Sequence, residues 1–284
     1  MNANDLVSVV ITTYNRSDAL VRVLEGLLCQ TDQNFEVIVA DDGSTTAHQK
    51  ALAQSRAALE LRVIHVWHPD VGFTASRIRN RGVAAGSGKY IVLMDGDCIP
   101  ETDFIARHRS LAQAGHLVNG SRVLLSPELT QDVLSGAVNI SGRSAKYWLI
   151  ARLQGRANKL SGLIRLPDGR FRVRHTFSWK GIRSCNMGVW RSDFEAVDGF
   201  DESFVGWGHE DADFVLRLYN HHVLRKDGYC ATEVFHLHHK ESARDHESQN
   251  AQTVRMRALT KVTQPVLGFS QVRVDDDVVI TRLG

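Results

Sequence analysis

Two carboxylates separated by one glycine, Asp95-Gly96-Asp97, close an apolar run that begins at Lys89-Tyr90. Side chains two apart share a face of a continuing strand, and Gly96 lets the backbone turn instead and a ligand come close. Adjacent carboxylates repel, so both stay ionised only with a cation beside them. Hard divalent ions such as Mg2+ or Mn2+ fill that role and keep positions open for substrate phosphates. A polar turn that merely caps the strand is the plainer reading of the same residues. A second acidic pair, Glu210-Asp211, follows Gly206-Trp207-Gly208-His209. Carboxylates there suit the dipole of a starting helix, and they equally suit a general base for an attacking hydroxyl. Downstream stand His236, His238 and His239. Neutral imidazole is a common metal ligand, and two carboxylates alone leave a divalent ion under-coordinated. A histidine-rich strand end without a ligand role stays open.

The elements that must hold these groups alternate. Strand patterns at Val7–Ile11, Phe35–Ala40 and Leu61–Val66 are followed by helical patterns at Ser17–Cys29, Thr46–Ala58 and Phe73–Ala85, and the strand ending in Asp95 comes next. Ser17 is the expected N-cap of the first helix. This order predicts an α/β fold, a mostly parallel central sheet flanked by helices, with ligands beyond the carboxyl ends of the strands. The polar clusters Thr12–Arg16, Asp41–Ser44 and Asp95–Asp97 all fall at those ends. They suit a nucleotide: Tyr14 to stack on a base, Asp41 to accept a base N–H, Arg79 to neutralise a phosphate, a metal at Asp95 and Asp97 to bridge a diphosphate. Thr12, Arg16 and Asp42 complete that wall. No Gly-x-Gly-x-x-Gly follows the first strand and no Gly-x-x-x-x-Gly-Lys-Ser/Thr occurs, which argues against dinucleotide and P-loop chemistry. A turn at Asp42-Gly43 and a solvated Arg79 remain the bland alternatives.

In order and spacing, Val9 to Arg16, Asp41-Asp42-Gly43-Ser44, Gly72 with Arg79-Asn80, and Asp95-Gly96-Asp97 resemble the family 2 glycosyltransferases of the GT-A fold across roughly residues 5 to 110. The stretch from Gly206 to Asp211 is similar to a motif of β-1,4-galactosyltransferases and bacterial polysaccharide synthases. The resemblance implies a nucleotide-sugar donor, commonly a UDP-sugar, a divalent metal (Mn2+ or Mg2+) at Asp95 and Asp97, and inversion at the anomeric carbon. By the same resemblance Asp211 is the base, Glu210 helps hold the acceptor, Trp207 is a sugar-stacking wall, and a histidine completes the metal site. His236 matches that position best, paired with His239. Asn186, the one amide in the run Ser184–Trp190, is assigned to the acceptor side. Galactose or an N-acetylhexosamine transferred in bacterial surface polysaccharide synthesis is the expectation from this likeness.

With 284 residues, 43% hydrophobic and 23% charged, the chain has the composition of a soluble globular protein. No apolar run reaches the roughly 18 residues of a membrane span and no signal-peptide pattern opens the chain, so a cytoplasmic protein is expected. Four separated cysteines fit reduced free thiols. The expected organisation is a nucleotide-sugar half at 1–115, an acceptor and catalytic half at 116–240, and an extension at 241–284. Between Arg143 and Arg183 eleven Lys or Arg residues face one acid, Asp168, with apolar residues interleaved. That suits contact with an anionic membrane on its inner face or a saccharide acceptor, lipid-linked or polyanionic, and equally a solvated basic face; no nucleic-acid motif accompanies it.

Two rival functions remain open. A sugar nucleotidyltransferase would carry a glycine-rich basic loop after the first strand, and Thr12–Arg16 contains no glycine. A non-catalytic carbohydrate-binding protein of the same fold would lack a metal carboxylate or the base, and Asp95, Asp97 and Asp211 are all present.

Overall fold

The computed structural model describes residues 1–240, 247–271 and 277–284. The first strands alternate their side chains between two cores. Val7, Val9 and Ile11 of β1 (Val7–Thr13), Val37 and Val39 of β2 (Phe35–Asp41), and Tyr90, Val92 and Met94 of a later strand face one core. Val10, Ile38, Ala40, Ile91 and Leu93 face the other. A strand buried on both faces must be covered by helices on both. Helix α1 (Ser17–Leu28) covers the first face with Leu20, Val23, Leu24 and Leu27, helped by α2 (Thr46–Ala53) and α3 (Arg56–Glu60). After β3 (Ile64–Trp67), α4 (Ala75–Ala85) covers the second with Ile78 and Val83.

Three boundaries differ from expectation for local reasons. The helix expected from Phe73 starts at Ala75, because the Thr74 backbone N–H and hydroxyl both donate to Asp42, at 2.8 and 2.6 Å. The single helix expected over Thr46–Ala58 is broken at Gln54-Ser55, so that Leu52, Ala57 and Ala58 all reach the core. Arg16, not Ser17, takes the cap position of α1, and the Ser17 hydroxyl lies 2.8 Å from His48 Nδ1.

Strand β4 (Tyr90–Asp95) is followed by β5 (Cys98–Pro100), α5 (Phe104–Leu111), β6 (His116–Asn119), β7 (Ser121–Leu124), α6 (Pro127–Leu134), α7 (Ala145–Leu153) and the short β8 (Val173–Arg174). Then come β9 (Asn186–Trp190), α8 (Arg191–Ala196), α9 (Glu210–Asn220), β10 (Leu224–Asp227), β11 (Glu233–His236), α10 (Glu247–Ala258) and β12 (Val279–Arg282). The described strands form a nine-stranded sheet ordered β12-β3-β2-β1-β4-β9-β6-β10-β8 and a three-stranded sheet ordered β5-β11-β7. Pairing is parallel from β3 to β4 and turns antiparallel at β9, which joins β4 to β6. The large sheet therefore runs without a break across residue 115. The extension adds α10 and, at the edge beside β3, β12; its sequence carries an acidic run, Asp275-Asp276-Asp277, of which Asp275 and Asp276 lie outside the described residues.

The basic stretch is partly turned inward. Arg165 grips Asp103, Arg156 pairs with Asp132, and buried Arg172 donates to the carbonyls of Leu166, Pro167, Asp227 and Tyr229. Leu149, Ile150 and Leu153 of α7 face solvent, Leu153 at 80% exposure. No described helix is long and apolar enough to cross a membrane.

Helix α9 carries the second acidic pair and is anchored by ions. Asp213, fully buried, accepts from Arg217 Nε at 2.8 Å and from Arg257 Nη1 at 2.6 Å, and Arg257 also reaches Asp201 at 2.7 Å. Removing one partner of such a buried pair leaves an uncompensated charge, at a cost of about 3–5 kcal/mol. The Asp213→Ala protein should lose stability on that scale in urea unfolding; a loss under about 1 kcal/mol would show that the cluster does not anchor α9.

Candidate active site

A cleft of about 820 Å³ opens at the carboxyl ends of β1, β2 and β4, where the fold rules place ligands. Its floor is a single buried guanidinium. Arg79 of α4 is 4% exposed and donates to Thr12 Oγ1 at 3.2 Å, to Glu210 Oε1 at 2.9 Å and to Asp95 Oδ1 at 3.4 Å. Burial opposes its charge, but the carboxylates of Glu210 and Asp95 raise its pKa above the ordinary arginine value. The expected phosphate clamp is thus committed to protein acids, and it ties the β1, β4 and α9 ends together. Arg122 of β7, a residue the sequence did not single out, brings a further guanidinium to the cleft wall.

On the nucleotide side the cleft is lined by Thr12, Tyr14, Arg16 and Asp42. The Tyr14 ring is 48% exposed and its hydroxyl donates to Asp70 at 2.7 Å, a bond that raises the phenol pKa. Arg16 Nε pairs with Asp18 at 3.1 Å. Asp41 does not line the cleft. It is 3% exposed, faces His65 Nε2 at 2.9 Å and accepts from the Ser44 N–H at 2.8 Å, so both oxygens serve the fold rather than a base. Asp42 holds Thr74 and lies 3.1 Å from His68 Nε2. The turn between them requires glycine: Gly43 has φ +94°, and a Cβ there would sit 2.5 Å from Asp70 Cα. That close approach seats the Asp70–Gly72 loop against the end of β2.

The first acidic pair divides. Strand β4 ends at Asp95, the chain turns through Gly96, and β5 carries Cys98 into the small sheet. Cys98 pairs with His236 across β5 and β11, and the Leu237 N–H donates to the Asp97 carbonyl at 2.9 Å. These long-range pairings bring His236 Nε2 to 3.7 Å and His239 Nε2 to 3.1 Å from the Asp97 carboxylate. One ligand atom each from Asp97, Cys98 and His236 lies within 4.8 Å of the others. Asp95, expected in the same cluster, is held by Arg79 instead. Burial, against the pull of Arg79, pushes Asp95 up to about 6. Burial also raises Asp97, but the His239 hydrogen bond and the His236 imidazole outweigh it and carry the carboxyl below its usual range. Burial lowers His236 to about 4 and raises the Cys98 thiol well above its ordinary value. The Asp97 carboxylate supplies the oxygen that a hard divalent ion such as Mn2+ prefers, and a neutral imidazole adds a nitrogen donor.

The second acidic pair stays together. His209 caps α9 in the left-handed region, φ 69°, between Gly208 and Glu210, so the first turn of the helix projects both carboxylates at the cleft. Asp211 Oδ2 accepts from the Ser184 N–H at 3.2 Å. Burial, followed by the neighbouring Glu210 charge, pushes Asp211 up to about 7. Glu210 presents one oxygen to Arg79, and its other oxygen, Oε2, is buried with no partner among the described residues. Trp207 lines the same wall. Asn186 is a correction: it is 1% exposed, its Oδ1 lies 3.0 Å from His108 Nε2, and its amide donates to the carbonyls of Ser121 and Thr232. It bridges the two sheets and touches no cleft.

Residues 8–177, more than half of the chain, match the family described as glycosyl transferase family 2, and residues 171–240 match the N-terminal domain of galactosyltransferase. The chain is 30% identical over 228 residues to validoxylamine A glucosyltransferase of Streptomyces hygroscopicus subsp. jinggangensis, covering 77% of this chain and 52% of that protein. It is 28% identical over 234 residues to chondroitin synthase of Escherichia coli, covering 76% and 32%. The chain thus spans about half or less of the length of these relatives. Among solved structures, a mannosyltransferase from Pyrobaculum calidifontis in complex with GDP-Man and Mn2+ superposes with a TM-score of 0.52 at 16% identity, over 89% of this chain and 61% of that one. With that likeness of fold and the match over residues 8–177, the chain belongs to glycosyl transferase family 2 and has the GT-A fold.

Proposed function

We propose that the protein transfers a sugar, with inversion, from a nucleotide-sugar donor to a hydroxyl of a saccharide acceptor, with the help of a divalent metal. The observation that carries this reading is the pairing of Asp211, pushed up to about 7, with a Glu210 oxygen that has no partner among the described residues, in a cleft that also holds Asp97 and His236. A base poised near neutrality accepts a hydroxyl proton and still carries charge at working pH. Glu210 Oε2 is free to accept a second hydrogen bond from the acceptor and orient the attacking oxygen.

In the proposed reaction the nucleotide lies along Thr12, Tyr14 and Asp42, with its diphosphate toward Asp97. Asp97, His236 and His239 would hold the metal. When bound, the ion supplies Lewis-acid stabilisation of the charge developing on the leaving diphosphate. Arg122 adds a fixed positive charge on the same side. Asp211 takes the proton of the acceptor hydroxyl as that oxygen attacks the anomeric carbon from the face opposite the diphosphate, and the C–O bond to the diphosphate breaks. Arg79 keeps Glu210 aimed while this happens. The named activities of the relatives, a glucosyltransferase and a chondroitin synthase, support sugar transfer to a small or polymeric hydroxyl acceptor. UDP-sugars are the donor class we test first.

Two measurements follow. An Asp211→Asn protein should bind donor normally and transfer at least about 100-fold more slowly. In the parent enzyme kcat/KM should fall tenfold per pH unit below about 7, because the raised Asp211 pKa makes the protonated, inactive form dominant there. The same shift makes the folded state bind the extra proton between 3.8 and about 7, so the native protein loses stability as pH rises through that window. Asp211→Asn should therefore raise Tm at pH 8; parental turnover, or an unchanged Tm, removes the assignment. Independently, Mn2+ should raise the Tm of the parent in the presence of UDP, and EDTA should reverse it. Asp97→Ala and His236→Ala should abolish that shift, and a shift that survives both places the metal elsewhere.

A further inference from the structure

A second cavity, about 370 Å³, opens beside the cleft and is lined by Trp179, His209, Glu247, Ser248, Ala251 and Arg255. Trp179, His209 and Glu247 belong to the walls of both, so the two spaces adjoin. Three observations make this a built pocket. The loop carrying Trp179 is pinned from below: Arg225 donates to the carbonyls of Ser178 and Lys180, and Asn119 to that of Gly181. Helix α10, which supplies the opposite wall, is docked by Asn250 on the carbonyls of Val205 and Gly208 and by Arg257 on Asp201 and Asp213. His209, on the rim between the two spaces, is held in a left-handed conformation that a non-glycine residue adopts only at some cost.

The lining chemistry fits a sugar ring. Trp179 is 41% exposed and offers an aromatic surface for the apolar face of a pyranose, while Glu247, Ser248 and Arg255 offer acceptors and donors for hydroxyls. Among the described lining residues one acid, Glu247, and one guanidinium, Arg255, balance in charge. Its size lies in the range of small-molecule sites. Its position on the α9 side of the cleft, beside the proposed base and away from Tyr14 and Asp42, places it on the acceptor rather than the nucleotide.

We propose that this pocket is a second acceptor subsite, which binds the neutral pyranose adjoining the one that receives the transferred sugar. The acceptor is then read as at least a disaccharide. This rests on the transferase reading for its meaning, but its test needs neither donor nor turnover. The probes are methyl glycosides of glucose, galactose and their N-acetylamino forms, and the β-linked disaccharides of the same sugars. Binding is followed by saturation-transfer NMR and calorimetry on the full chain. A disaccharide should bind at least about tenfold tighter than its matching monosaccharide. Trp179→Ala and Arg255→Ala should each erase that gain, and Trp179→Phe should keep most of it. Equal affinity for mono- and disaccharides, no binding by any glycan, or a gain that survives both alanine variants overturns the proposal. Donor hydrolysis is measured alongside: Arg255→Ala should match the parent. If the parent hydrolyses no nucleotide sugar, the transferase reading fails while the binding result stands on its own.

Discussion

One guanidinium, that of Arg79, meets three elements that are distant in sequence: the end of β1 at Thr12, the end of β4 at Asp95 and the first turn of α9 at Glu210. It lies over the Phe200 ring, 5.4 Å from the centroid, in a place where water contributes little screening. Glu210 and Asp95 crowd into this region with Asp97 and Asp211 nearby, and without a cation their mutual repulsion would push the strand ends and the helix apart. The position of the candidate base relative to the nucleotide wall therefore depends on one side chain from α4. A buried charge of this kind is stabilising only when its partners are all in place, which makes it a register device as much as a source of stability.

The backbone completes what Arg79 begins. The antiparallel β9 is wedged between β4 and β6, so the parallel strands of the first half and the mixed strands of the second share one sheet. Asn186 sits at the start of β9 and satisfies backbone carbonyls of β7 and of the turn before β11. The small sheet then delivers the histidines: β11 lies between β5 and β7, and its end falls opposite the turn that follows β4. The histidines from the small sheet and the acidic pair from α9 thus meet at one opening.

Local pattern made the strand ends, the Asp95–Asp97 turn and the Glu210-Asp211 helix start legible, because each combines a period with a punctuating glycine. Direction was harder to read. Asp41 and Asn186 have the right chemistry, but one turns to His65 and Ser44 and the other to His108 and two carbonyls, choices set by partners far along the chain. Asp95 lost its place in the ligand cluster to Arg79 for the same reason. Cys98 and Arg122 were not singled out as site residues, since only the pairing of β5, β11 and β7 carries Cys98 to His236 and Arg122 to the cleft, and that pairing leaves no mark in local spacing. The inward turn of Arg165 and Arg172 likewise depends on Asp103 and on carbonyls of the segment around β10.

The ionic anchoring of α10 has a consequence for where this protein can be divided. The matches to known families end at residue 240, yet Arg257 lies beyond that point and supplies the counter-charge for Asp201 and Asp213 under α9. The unit that evolves by homology and the unit that folds are then of different lengths. A chimera joined at residue 240 would import a helix α9 whose Asp213 keeps Arg217 but loses Arg257, the cation that also faces Asp201. The exchangeable module, in physical terms, reaches through residue 258.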